Sequence, residues 1–194
     1  MRESNDVLVP QHYRRLKRGP QVILPKDIGM IIAYTGIGKE SVCVDAGTGS
    51  GWLAISLARI AKEVTTYDNR DEFIRIAEKN RDNERLGNLI IKKGDITKGI
   101  DESGVDLVTL DMPDSDMALK NARKALKDGG YVVGYLPHME QAKKFVETLN
   151  KLKFENILTL ETIVRDILVR EQGVRPSTKG VWHTGYLVFA QKKA

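Results

Sequence analysis

The stretch Val44-Asp45-Ala46-Gly47-Thr48-Gly49-Ser50-Gly51 stands between a short apolar run, Ser41 to Val44, and a segment with helical spacing of apolar residues at Trp52, Ile55, Leu57, Ala58 and Ala61. A strand that turns through glycines into a helix is a place where backbone closes on a ligand, because glycine adopts conformations closed to residues with a side chain. A dinucleotide loop would read G-x-G-x-x-G, with a pyrophosphate at the helix N-terminus. Here the glycines at 47, 49 and 51 read G-x-G-x-G, and Asp45 precedes them. A carboxylate there repels phosphate.

Working outward, strand and helix alternate. Lys26 to Thr35 reads as a helix before the loop, and Glu63 to Tyr67 as a strand after it. Glu72 to Glu84 is an amphipathic helix, Leu89 to Lys92 and Val105 to Leu110 are strands, and Ala118 to Leu126 is a helix. Asp128-Gly129-Gly130 reads as a turn into a strand over Tyr131 to Leu136. Met139 to Leu152 is helical, Glu155 to Glu161 extended, and Thr184 to Gln191 a final strand. This order predicts an α/β fold with a doubly wound, mostly parallel sheet. Ligands in such sheets bind outside the carboxyl ends of the strands.

The acids fall at those ends. Asp68 closes the second strand in Tyr67-Asp68-Asn69, where a carboxylate can accept both hydroxyls of an unphosphorylated ribose. Asp95, in Gly94-Asp95-Ile96, follows the third and is placed to take an adenine amino group. Asp45 suits a cationic aminoacyl group, directly or through water. S-adenosylmethionine has that group, a free ribose and no phosphate. The expected cofactor set is therefore Asp45, Gly47, Thr48, Gly49, Ser50, Gly51, Asp68, Asn69, Asp95 and Ile96.

With 194 residues there is room for one ordinary domain. The single cysteine, Cys43, lies in an apolar run, which excludes a disulfide framework or a thiolate metal cluster, and no metal is expected. No apolar stretch is long enough to cross a bilayer and the N-terminus has no signal-peptide pattern, so a cytoplasmic protein is expected. The net charge of +5 permits a polyanionic partner, with Arg14, Arg15, Lys17, Arg18 and Lys26 near the start and Lys192 and Lys193 at the end.

The motif series resembles the class I methyltransferases over about residues 20 to 194, which implies a Rossmann-like sheet of seven strands with the last antiparallel. Three further segments narrow the resemblance: Arg18-Gly19-Pro20-Gln21 with Pro25-Lys26-Asp27, Leu110-Asp111-Met112-Pro113-Asp114, and Trp182-His183-Thr184-Gly185-Tyr186-Leu187. With Tyr135-Leu136-Pro137 they are similar to the tRNA (adenine-N1)-methyltransferase family, which modifies adenine 58 and, in archaeal members, adenine 57. Members usually carry a small β domain ahead of this point. About 16 residues precede Lys17, so a short extension over residues 1–16 is expected in its place, with the catalytic domain over 17–194. Leu24 stands where an aromatic residue is usual, and Ser115 replaces the second proline of L-D-x-P-D-P.

The resemblance implies methyl transfer to adenine N1 in tRNA and a homo-oligomer, with a tetramer favoured. Asp111 becomes the catalytic candidate, holding the target base through its exocyclic amine and stabilising the cation formed by attack. Asp114 is a second candidate for the base, or a helix-initiating acid. Gln21, Leu24, Tyr135 and His183 are candidate walls, with a structural hydrogen-bonding role equally open for His183. Two other readings stand beside this one. The short N-terminus suits a small-molecule acceptor such as a precorrin, and a tRNA-binding subunit without catalysis would be expected to have a decayed glycine loop.

Overall fold

The computed structural model describes residues 11–19 and 21–193. Its elements are α1 (Gln11–Arg15), α2 (Pro25–Thr35), β1 (Val42–Ala46), α3 (Trp52–Ala58), β2 (Glu63–Asp68), α4 (Asp71–Glu84), β3 (Leu89–Lys93), β4 (Val105–Leu110), α5 (Ser115–Ala125), β5 (Leu126–Leu136), α6 (Met139–Lys151), β6 (Phe154–Glu161), β7 (Ile167–Arg170), β8 (Gly173–Pro176) and β9 (Tyr186–Lys192). Residues 1–10 of the expected extension, together with Pro20, lie outside the described residues.

Seven strands form one sheet in the order β3-β2-β1-β4-β5-β9-β6. The chain starts in the middle at β1, runs outward through β2 and β3, and returns to β4. The reversal of direction between β1 and β4 opens a crevice at their carboxyl ends. β9 enters between β5 and β6 and is antiparallel to both, as expected of the last strand. That reversal matters for the site, because it brings the residues just before β9 to the edge where the other strands end.

Strand residues alternate between two cores. Cys43, Leu107, Val133, Leu187 and Phe189 face one cluster with α2 and α3, while Val44, Val108, Val132, Val188 and Ala190 face the other with α5 and α6. Burial on both faces is why these strands read as continuous apolar runs. Every residue of α3 is buried, and a fully buried leucine or isoleucine such as Leu57 or Ile55 contributes about 2–3 kcal/mol. Gly134 admits the Phe145 ring beneath β5: a Cβ there would lie 2.8 Å from Phe145 Cζ. No helix among the described residues is long and apolar enough to cross a membrane.

Three details differ from the sequence expectation. The turn at Asp128-Gly129-Gly130 lies within β5, which starts at Leu126 paired with Val105 and shifts register before Leu107–Tyr131. Gly129, at φ 76°, absorbs that irregularity. α5 begins at Ser115, three residues before Ala118. The hairpin of β7 and β8 had no alternating pattern to announce it, since both of its faces are largely exposed.

Candidate active site

Two cavities meet at the carboxyl edge of the sheet. The larger, about 330 Å³, is lined by Gly47, Tyr67, Asp68, Asn69, Arg70, Gly94, Asp95, Ile96 and the run Asp111 to Asp114. The smaller, about 20 Å³, lies among Gln21, Val22, Ile23, Asp45, the loop Gly47 to Ser50, Trp52, Leu53 and Asp111. Gly47 and Asp111 line both. A long ligand with two unlike ends would cross from one cavity to the other beside those two residues.

The loop is built for close approach. Gly47, Gly49 and Gly51 all have positive φ. The steric demand falls on Gly47, where a Cβ would stand 1.9 Å from the Asp111 carbonyl oxygen. Gly49 meets nothing closer than 3.8 Å, so its constraint is backbone conformation alone. Ser50 and Trp52 line the smaller cavity, and their buried Oγ and Nε1 have no hydrogen-bond partner among the described residues. Unpaired buried donors in a ligand cradle fit an acceptor such as the carboxylate of an amino-acid group. The residues present thus fit the nucleoside and amino-acid halves of S-adenosylmethionine.

The acids differ in what already holds them. Asp45 is buried and accepts from the Thr66 and Thr109 hydroxyls, each at 2.6 Å. Since Thr66 Oγ1 donates to Asp45, the 2.7 Å contact between Thr48 and Thr66 has Thr48 as donor. Burial raises the Asp45 carboxyl above the ordinary range, opposed by these two hydroxyls. Asp68 accepts from Gly49 N at 3.1 Å, while the Arg70 guanidinium spans its two oxygens at 3.0 and 3.2 Å. Arg70 also lies over the Phe73 ring at 4.0 Å. Asp95 Oδ1 takes the Thr97 amide and hydroxyl, which lower its carboxyl below the usual range.

Asp111 is held differently. It directly follows β4, its carbonyl lies against Gly47, and its amide donates to Ala46 O at 2.8 Å. Burial, then the Asp45 carboxylate, push its carboxyl up to about 7, with Arg70 opposing. It is therefore a poised acid at the point where the cavities join. Asp114 is exposed, lines the larger cavity and occupies the N-cap position of α5 without a side-chain capping bond.

The segments at the two ends of the fold meet beside this crevice. Lys26 Nζ contacts Asp27 Oδ1 at 2.8 Å and donates to Thr162 O at 2.6 Å and Thr184 Oγ1 at 2.7 Å. Asp27 is 0% exposed. Tyr135 is buried and donates to Thr184 O at 2.8 Å, and burial raises its hydroxyl to about 12. Gly185 permits that contact, because a Cβ there would lie 2.8 Å from Tyr135 Cζ. His183 Nδ1 is 2.6 Å from Glu161 Oε1, and its Nε2 is 2.9 Å from Pro137 O. Both partners are acceptors, so only the protonated ring satisfies both contacts at once. The Glu161 carboxylate, then the Pro137 carbonyl, raise its pKa accordingly.

Residues 13–177 match the family described as the tRNA methyltransferase complex GCD14 subunit. The chain belongs to this family. It is 42% identical to the tRNA (adenine(57)-N(1)/adenine(58)-N(1))-methyltransferase of Methanocaldococcus jannaschii, over 92% of this chain and 74% of that protein. It superposes on the tRNA (m1A58) methyltransferase of Aquifex aeolicus with TM-score 0.86 and 30% identity, covering 93% and 73% of the two chains. The same fold and 32% identity relate it to a SAM-dependent O-methyltransferase of Thermotoga maritima, with TM-score 0.89 over 94% and 70%.

In this family member, all the cofactor residues expected from sequence except Gly51 line one or other cavity, as do Gln21, Asp111 and Asp114; Gly51 instead lies against Ala77 and Ile55. Leu24, Tyr135 and His183 line neither cavity. Leu24 packs on the core at the start of α2, and the other two have their polar atoms committed to fixed partners. Arg70, Thr66 and Thr109 were not among the residues expected from sequence. The two threonines carried a signal, polar residues facing inward on buried strands beside Asp45. Arg70 carried none.

Proposed function

We propose that this chain transfers the methyl group of S-adenosylmethionine to N1 of an adenine in tRNA, at position 58 and also 57. Family membership supports the acceptor, and the single structural observation that carries the chemistry is Asp111 at the junction of the two cavities. The loop Gly47 to Gly51, Asp45 and the unpaired Ser50 and Trp52 donors would hold the amino-acid half. Asp68, Asn69, Asp95 and Ile96 would hold the nucleoside. When bound, S-adenosylmethionine supplies an electrophilic sulfonium methyl, whose carbon bonds to N1 as its bond to sulfur breaks and the electron pair stays on sulfur.

The chain's own work is alignment and charge handling, which provide most of the acceleration in such a transfer. Asp111, as carboxylate, accepts a hydrogen bond from the exocyclic amine of the target base and stabilises the positive charge that develops on the ring. Asp114 lines the larger cavity and Gln21 the smaller. The adenine leaves its stack to reach them, at a cost of a few kcal/mol that pocket contacts must offset. Tyr135 and His183 hold the backbone carbonyls of Thr184 and Pro137. Incubation with cofactor and unmodified tRNA, followed by nucleoside analysis, should yield 1-methyladenosine. A small tetrapyrrole acceptor in place of tRNA should accept no methyl.

The working form is a homo-oligomer, a tetramer by preference, in the cytoplasm where tRNA is found. The hairpin of β7 and β8 supports this, because Ile167, Val169 and Val174 are more than half exposed and a lone two-stranded hairpin is marginal in water. A second copy would cover it. Light scattering at micromolar concentration should return a multiple of the chain mass, and a single-chain mass would count against the oligomer.

A further inference from the structure

We infer that Arg14, Arg15, Lys17 and Arg18 form a fixed strip that grips the phosphodiester backbone of tRNA beside the methylated adenine. The inference rests on the tRNA reading above and adds the surface that holds the substrate. Four cations in five positions would ordinarily be a solvated face. Here the segment that carries them is nailed to the cofactor side of the molecule.

Tyr13 and Leu16, three residues apart, are buried in the core, which turns the four cations outward. Tyr13 stacks on Trp52 at 4.8 Å and its hydroxyl bonds Ser56. The backbone of Lys17 is held from both sides by Asn80: Lys17 N donates to Asn80 Oδ1 at 2.8 Å, and Asn80 Nδ2 donates to Lys17 O at 2.9 Å. The same Nδ2 donates to Ser50 O at 2.8 Å, so one buried side chain ties the strip to the glycine loop. The Arg18 guanidinium lies 5.8 Å from the centre of the Trp52 ring. Gly19 then passes against Ser50 and Phe73, and Gln21 to Ile23 line the smaller cavity.

None of the four makes an ion pair among the described residues. Three cations that the sequence grouped with them are engaged: Lys26 with Asp27, Lys192 with Asp128 and Lys193 with Glu155. A base that enters the crevice carries its flanking phosphates to the rim, and arginine forks match phosphate oxygens in pairs. A strip that cannot swing away loses little freedom on binding.

The test compares two quadruple variants by fluorescence anisotropy with labelled, unmodified tRNA over a range of salt. One carries Arg14→Gln, Arg15→Gln, Lys17→Gln and Arg18→Gln. The control carries Lys39→Gln, Lys62→Gln, Lys151→Gln and Lys153→Gln, four exposed lysines just ahead of β1, β2 and β6 at the opposite edge. The strip variant should bind tRNA at least tenfold more weakly at 0.15 M salt, and the slope of log affinity against log salt should flatten by about 2–3. Its affinity for S-adenosylmethionine should stay within twofold, and the control should match wild type for tRNA. Unchanged affinity and slope in the strip variant would overturn the inference, as would equal losses in both variants or a wild type that does not bind tRNA. Wild type that binds tRNA through the strip but forms no 1-methyladenosine would instead refute the methyl-transfer reading and leave the strip standing.

Discussion

Thr184 Oγ1 donates to Asp27 Oδ2 at 2.8 Å, joining residues 157 positions apart in the chain. Lys26 completes the contact by reaching both the Asp27 carboxylate and the Thr184 hydroxyl. The Pro25-Lys26-Asp27 and His183-Thr184-Gly185 motifs are thus two halves of one polar knot, which closes α2 against the start of β9.

Because the knot is buried, removing one charge leaves the other unpaired. Asp27→Asn should destabilise the protein by about 3 kcal/mol, the usual cost of breaking a buried pair. Thr184→Val should cost about 1.5–3 kcal/mol, because its hydroxyl bonds two charged groups. Urea unfolding of the two variants measures both. A loss below 1 kcal/mol for Asp27→Asn would mean that the pair is not coupled to folding.

The glycine loop gives a contrast between neighbours. Gly47→Ala should abolish cofactor binding and methyl transfer together, since its Cβ would drive the Asp111 carbonyl out of place. Gly49→Ala should retain measurable binding, weakened by about 1 kcal/mol for its positive φ. Calorimetric titration of both with S-adenosylmethionine decides. Equal affinities would place the steric demand elsewhere in the loop.

How far the sequence carried this picture follows from what each residue does. Asp68 and Asp95 were legible because strand ends mark the ligand side of any doubly wound sheet, and Asp111 because a motif surrounds it. The role of Gly47 against Asp111 was not, since it depends on two strand ends meeting in space. Tyr135 reads as a site wall, and His183 as a wall or a structural hydrogen-bonder, because they sit at the right edge. Their hydrogen bonds to Thr184, Glu161 and Pro137 are long-range contacts that no local pattern encodes. Lys26 reads only as one of the basic residues near the start for the same reason.

The acid at the junction should set the pH dependence. With Asp111 near 7, the carboxylate form grows through neutrality, so turnover per bound substrate should rise from pH 6 to pH 8. Stability should move the other way. A carboxyl raised on folding favours the protonated native state, so its contribution is full below about pH 4 and is lost as pH climbs through about 7. Asp111→Asn should therefore flatten the pH–rate limb and make the ligand-free protein more stable than wild type at pH 8. Thermal or urea unfolding at pH 5 and pH 8 tests this, and a variant less stable than wild type at pH 8 would contradict it.

His183 should titrate above the ordinary histidine range, because Glu161 and Pro137 favour its charged form. Glu161→Gln should move its midpoint back down. Proton NMR of the imidazole resonances follows the shift directly, and a midpoint unchanged by Glu161→Gln would remove the ion pair as its cause.

The central claim is that Asp111 acts on the target adenine while other strand ends hold the cofactor. The most direct measurement is single-turnover methylation of unmodified tRNA by Asp111→Ala, with 1-methyladenosine quantified by nucleoside analysis and cofactor affinity measured in parallel. Loss of a charge-assisted contact of ~3–4 kcal/mol corresponds to roughly a hundred- to thousand-fold in rate. The rate should fall by that factor, with affinity for S-adenosylmethionine within a few fold of wild type. A variant that forms 1-methyladenosine at nearly the wild-type rate, or one whose defect lies wholly in cofactor binding, would contradict it.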